Sequence, residues 1–174
     1  MSFNDLGLSA ELLRAVSDQG YSNPTPIQAK AIPPLLEGSD VLGCAQTGTG
    51  KTAAFVLPIL ERIDLDSSIT QAIILAPTRE LARQLYGEVK KFAKPFNLRV
   101  ASVSGGLSKY EQTKRLQQGC EIIVATPGRL LDHLRKQRIN LHLCRYLALD
   151  EGDRLLDMGF DEDVHGIVSF FKKQ

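Results

Sequence analysis

The stretch Ala45-Gln46-Thr47-Gly48-Thr49-Gly50-Lys51-Thr52 concentrates more chemistry than any other in the chain. A loop of small residues between a strand and a helix leaves backbone N–H groups unpaired and aimed at one spot. The positive end of the helix dipole stands behind them, and together they make an anion site. Lys51 adds a full charge suited to the β- and γ-phosphates of a nucleotide, and Thr52 offers a hydroxyl that can ligate Mg²⁺. The phosphate-loop pattern asks for glycine in its first position, where this chain has Ala45. A glycine- and threonine-rich turn that only caps a helix is the rival reading. The order strand, loop, Gly-Lys-Thr, helix speaks against it.

A second group, Asp150-Glu151-Gly152-Asp153, follows the apolar run Tyr146-Leu147-Ala148-Leu149. Ionised carboxylates at the end of a buried strand are costly unless something positive compensates them. A Mg²⁺ shared by Thr52, the phosphates and Asp150, directly or through water, supplies that charge. Glu151, one residue on, can orient the attacking water as general base. Without a phosphate loop the pair would read as two surface acids opening a loop.

Arg79, Arg129 and the helix-initial amides after Pro77 and Pro127 suit a second set of phosphates, and Gly105-Gly106 lets a backbone pass near the loop of Arg129. A phosphodiester chain tracked by amides, hydroxyls and a few arginines needs no strongly basic surface. The competing assignment pairs these arginines with Glu80 or Asp132.

Positioning these groups requires alternating elements. Ser9 caps a first helix with Leu12, Leu13 and Val16 on one face, and Gly20 ends it. Pro26 opens a second helix that reaches Leu36 and stops at Glu37-Gly38. Gln28 sits early on that helix and, on spacing alone, reads as a surface glutamine beside a proline-rich turn. Apolar runs predict strands over residues 40–45, 72–76, 99–103, 121–125 and 146–149, with helices following Lys51 and over 78–94, 108–118 and 130–138. Five strands alternating with helices predict an α/β domain with a mostly parallel sheet, whose ligands bind beyond the carboxyl ends of the strands.

Composition narrows the class. A chain of 174 residues is normally one domain, and 43% hydrophobic with 24% charged residues excludes disorder and fibres. The net charge of +1 leaves no polybasic tail. No apolar run approaches the ~20 residues of a membrane span, and Met1-Ser2-Phe3-Asn4-Asp5 lacks a signal peptide's basic start. Cys44, Cys120 and Cys144, scattered and odd in number, read as reduced structural thiols of a cytoplasmic protein, with Cys44 inside an apolar strand. His133, His142 and His165 share no metal-ligand spacing.

Taken together, these motifs resemble the DEAD-box RNA helicases along essentially the whole chain, specifically their first RecA-like domain, and most resemble the bacterial RhlE-type subgroup. Gly20 and Tyr21 through Gln28, with Phe3 upstream, are similar to the family's adenine-reading Q motif. Ala45 to Thr52 resembles motif I, in which alanine in first place is usual. Pro77-Thr78-Arg79-Glu80-Leu81-Ala82, Gly105-Gly106 and Thr126-Pro127-Gly128-Arg129 resemble the RNA-contacting motifs, and Asp150-Glu151-Gly152-Asp153 stands where the name-giving tetrapeptide belongs.

The resemblance implies a RecA-like phosphate-loop NTPase domain with ATP and Mg²⁺ as cofactors. Gln28 would read the adenine edge, Tyr21 stack on the ring with Phe3 in support, and Thr25 touch the motif I loop. Gln46, Thr47, Gly48, Thr49, Gly50, Lys51 and Thr52 would hold the phosphates, with Lys51, Asp150 and Glu151 catalytic and Thr52 and Asp150 on the metal. Pro77, Thr78, Arg79, Gly105, Gly106, Thr126, Pro127, Gly128 and Arg129 would contact RNA, and Asp153 would couple to a second RecA-like domain of the same protein.

Two departures follow. Gly152 replaces an alanine, which loosens the backbone by ~0.5–1 kcal/mol. The sequence also stops at Gln174, before the Ser-Ala-Thr motif, whose strand the family places between the phosphate-loop strand and the Asp150 strand. By itself such a piece is expected to hydrolyse ATP barely at all. A non-catalytic ATP- and RNA-binding clamp, and a phosphate-loop ATPase acting on DNA or protein, remain the rival functions.

Overall fold

The computed structural model describes residues 1–46 and 48–171, so the phosphate-loop assignment of Thr47 falls outside the described residues. The chain divides into two compact units, Met1–Asp64 and Leu65–Gln174.

The first unit is helical. After a 3-10 turn over Phe3–Leu6 come α1 (Ala10–Asp18), α2 (Pro26–Leu36) and α3 (Lys51–Arg62). Local chemistry sets their ends. The Ser9 hydroxyl accepts from the Leu12 amide at 3.4 Å, and Gly20, at φ +84°, lets the chain reverse so that the Tyr21 amide reaches the Val16 carbonyl. Pro26 occupies the first turn of α2, where no amide is missed, and Gly38 closes it at φ +91°. α2 packs on α3, burying Ala31 and Ile32 on one and Val56 and Leu57 on the other.

The strand expected over 40–45 is absent: these residues pair with nothing in the sheet, Leu42 is 95% exposed, and Cys44 lies at the surface. An apolar run gains nothing from extension alone, because a strand exists only through its ladder partner. The described sheet has four strands, not five.

That sheet belongs to the second unit. It comprises β1 (Ala72–Leu75), β2 (Val100–Val103), β3 (Ile122–Ala125) and β4 (Tyr146–Leu149) in the order β2-β3-β1-β4, with every pair parallel. The helices are α4 (Arg79–Ala93), α5 (Lys109–Gln118), α6 (Pro127–Arg135), α7 (Gly152–Asp157) and α8 (Asp161–Val168). β1 and β3 are wholly apolar and wholly buried, as strands covered on both faces must be. Ile73, Leu75, Ile123, Ala125 and Val103 share a core with Leu116 of α5, Leu130 and Leu134 of α6 and Ile167 of α8, while α4 packs on β2 and β3.

β4 departs from expectation. The apolar run predicts a buried strand, yet Tyr146, Leu147 and Ala148 are half-buried and Leu149 is 44% exposed. Among the described residues it pairs with β1 alone. α6 also begins earlier than its predicted start at Leu130, because Pro127 serves as a first-turn residue rather than as part of a loop.

Candidate functional site

In the first unit, the glycine loop runs into α3 through two left-handed residues, Gly48 at φ +83° and Gly50 at φ +82°. The Thr49 hydroxyl donates to the Gln46 carbonyl at 2.5 Å, bracing the loop. Gly50 is the N-cap of α3 and supplies no side-chain acceptor, so the first amides of the helix keep their donor capacity. A Cβ at Gly48 would meet nothing within 4 Å. Lys51 and Thr52 open the helix, both half-buried.

Gln28 corrects the reading from spacing. It is not a surface residue but 0% exposed. Its Oε1 accepts from the Thr25 amide at 3.0 Å and its Nε2 donates to the Gly50 carbonyl at 3.1 Å, while Thr25 in turn accepts from the Gln28 amide. The stretch that precedes α2 is therefore fastened to the last residue of the glycine loop. Tyr21 is partly exposed, and Phe3 is buried in its 3-10 turn.

In the second unit, parallel register aligns Val103, Ala125, Leu75 and Leu149 across the sheet. Four loops therefore leave one edge side by side: Ser104-Gly105-Gly106, then Thr126-Pro127-Gly128-Arg129, then Pro77-Thr78-Arg79, then Asp150-Glu151. The Thr78 hydroxyl caps α4 by accepting from the Leu81 amide at 3.2 Å. Arg79 lies across Gly105 and Gly106 so closely that a Cβ at Gly106 would press on its guanidinium. The φ of +83° at Gly106 favours glycine there, whereas the exposed guanidinium could swing away from an added Cβ. Arg79 approaches Glu80 only at 4.0 Å with both side chains exposed, an interaction worth little.

Among the described residues Arg129 is in no ion pair. It donates to the Leu107 carbonyl and to Gln112 Oε1, both at 3.3 Å, while Asp132 pairs with Lys109 and Lys136 at 3.3 Å. Hydrogen bonding to Lys136, ahead of that to Lys109, holds the Asp132 carboxyl below the usual range.

At the end of β4, Asp150 and Glu151 are half-buried. Glu151 adopts φ +52°, ψ +53°, a left-handed conformation that costs a non-glycine residue about 1–2 kcal/mol. Its Oε2 accepts from Arg154 Nη1 at 3.3 Å. Asp153 is exposed in the first turn of α7. A Cβ at Gly152 would touch only Leu149 Cβ at 3.9 Å. Gly152→Ala is therefore expected to be tolerated and to raise the denaturation midpoint, stabilising by about 0.5–1 kcal/mol. A loss of stability would show that the position needs glycine.

Sequence reasoning passed over Gln112 and His133, both buried. The signal was there: Gln112 stands one turn before Leu116 on the inward face of α5, and His133 interrupts the apolar face of α6 between Leu130 and Leu134. Burial first, then the Arg138 guanidinium, lower the pKa of His133 from 6.5 to about 4, with Arg129 and Lys109 acting the same way and Asp132 opposing. The unfolded chain thus binds a proton that the folded one refuses. Stability from this group is complete above pH 6.5 and is lost as pH falls toward 4, by up to about 3 kcal/mol. Denaturation midpoints measured across that range should show the loss, and His133→Gln should flatten it.

Burial raises the Cys120 thiol to about 11 and Cys144 to about 12, so both are protonated and inert. Among the described residues no group of three His, Cys, Asp or Glu could hold a metal, and no helix is long and apolar enough to cross a membrane.

A four-stranded, all-parallel sheet flanked by helices, with motif-bearing loops at one end of its strands, defines an α/β domain. Residues 25–174 match the family model described as DEAD/DEAH box helicase. The chain belongs to that family. It is 49% identical over 172 residues to DEAD-box ATP-dependent RNA helicase 24 of Oryza sativa subsp. japonica, covering 96% of this chain and 22% of the relative. It is 49% identical over 168 residues to ATP-dependent RNA helicase CshA of Limosilactobacillus reuteri, covering 97% and 34%. It is 47% identical over 176 residues to probable ATP-dependent RNA helicase DDX23 of Homo sapiens, covering 96% and 22%. The chain thus spans about a fifth to a third of the length of these relatives.

Proposed function

We propose that this chain is the nucleotide-binding half of an ATP-dependent RNA helicase, which couples ATP binding and hydrolysis to the remodelling of RNA when joined to a second RecA-like domain. The observation that carries this reading is the bond from Gln28 Nε2 to the Gly50 carbonyl. It ties a buried amide, apt for reading a purine edge, to the loop whose amides suit phosphates. A glutamine amide offers an N–H and a lone pair that together match one purine edge. A base of the wrong pattern would leave those groups unpaired, which is how a polar site rejects it.

In this reading the amides of Gly48, Thr49 and Gly50 and the charge of Lys51 hold the triphosphate. Thr52 and Asp150 are the residues that would hold Mg²⁺, an ion that keeps several waters and needs few protein ligands. When bound, that ion neutralises charge on the phosphates. Glu151 orients the attacking water. Its strained backbone supports the role, since residues held in costly conformations cluster at functional sites. Arg79, Arg129 and the amides at the starts of α4 and α6 take the RNA backbone, and Asp153 couples to the second domain.

The test is phosphate release by the intact protein with and without single-stranded RNA. Stimulation by RNA and not by DNA supports the helicase. ATP and RNA binding with no turnover would favour the non-catalytic clamp instead.

A further inference from the structure

The second unit contains a buried polar chain that no motif assigns. Gln112, on α5, donates from Nε2 to the Ser104 carbonyl at 2.8 Å. Its Oε1 receives Arg129 Nη1 at 3.3 Å and stands 3.1 Å from His133 Nε2. His133 Nδ1 lies 3.2 Å from Arg138 Nη1. A guanidinium can only donate, so Nδ1 must accept and the proton sits on Nε2. That tautomer donates to Gln112 Oε1 and fixes which way the amide points. With the amide fixed, Nε2 faces the carbonyl just before Gly105 and Oε1 faces Arg129. Arg129 completes the circuit by donating to the Leu107 carbonyl, just after Gly106.

We propose that Gln112 is a positioning residue for RNA: it locks the Arg129 guanidinium and the Gly105-Gly106 loop into one preformed phosphate-binding surface, with His133 and Arg138 setting the orientation of its amide. This rests on the reading of Arg129 and Gly105-Gly106 as RNA contacts. The physical reason is preorganisation. A free arginine side chain loses rotamer freedom on binding a phosphate, whereas one already held by two acceptors loses less. The loop and the arginine come from different strand ends, β2 and β3, and Gln112 is the side chain bonded to both. A leucine at 112 would fill the same face of α5 and hold neither.

The experiment compares Gln112→Met, a near-isosteric change, with Arg129→Ala and the double variant in the intact protein. Affinity for a fluorescein-labelled oligouridylate is read by anisotropy over a salt series with a non-hydrolysable ATP analogue present, and binding of a fluorescent ATP analogue without RNA serves as control. Gln112→Met should weaken RNA binding about tenfold, lower the salt slope by about one phosphate's worth as Arg129→Ala does, add nothing in the double variant, and leave nucleotide binding unchanged. Gln112→Met with unaltered RNA affinity, beside a weakened Arg129→Ala, would overturn the positioning role alone. An unaffected Arg129→Ala would overturn the RNA reading of that arginine and this inference with it. A readout independent of any variant is the ring ¹⁵N spectrum of His133 in the unmodified protein. It should show the Nε2–H tautomer, and the Nδ1–H form would overturn the relay.

Discussion

Gly50→Ala is expected to destabilise the first unit by about 2–4 kcal/mol, combining left-handed strain with overpacking, and to abolish measurable ATP binding. The backbone at Gly50 stands at φ +82°, and an added Cβ would overlap Gln28 Nε2 and sit 3.3 Å from Thr25 Cγ2. A glutamine tip usually swings aside cheaply. Here it is fully buried, and moving it breaks the bonds to Gly50 and to the Thr25 amide together. Gly48→Ala is the control, since its φ of +83° is equally left-handed but the space around it is open. It should cost only the backbone strain, about 1–2 kcal/mol. Urea denaturation of both variants checks the pair. Equal losses would mean that Gln28 is not the fixed wall described above.

Glu151→Gln should lower RNA-stimulated ATP turnover by about 10²–10⁴-fold, the range for removing a general base, with little effect on ATP affinity. The amide keeps the volume and the backbone geometry, and the lost pairing with Arg154 is a surface contact worth little. The melting temperature should therefore stay within a degree or two of the parent. Steady-state phosphate release with parallel nucleotide titrations separates the effects. Turnover reduced less than tenfold would remove Glu151 from the role of base.

Much of the scaffold was legible because it is local. Ser9 and Thr78, legible as caps, each accept at the hydroxyl from an amide three residues on, and Thr25 and Ser108 do the same. β1 and β3 announce themselves as unbroken apolar runs bounded by motif residues. What failed was pairwise. Residues 40–45 look as strand-like as 122–125, yet extension is stable only beside a partner, and no local pattern says whether one is there. Gln28 and Gln112 failed for a related reason. A glutamine's polarity predicts exposure, and only the long-range acceptors at Gly50 and Ser104 make its burial affordable.

The sheet order also implies a gradient of persistence. β1 and β3 are flanked on both sides, whereas β4 leans on β1 alone among the described residues and shows its last side chain to water. Amide protons should exchange slowest in the middle pair and fastest in β4, so fraying begins at the strand that leads into Asp150 and Glu151. The arginine-bearing loops after β1 and β3 thus ride on the firm part of the scaffold, and the acidic pair on the part that yields first.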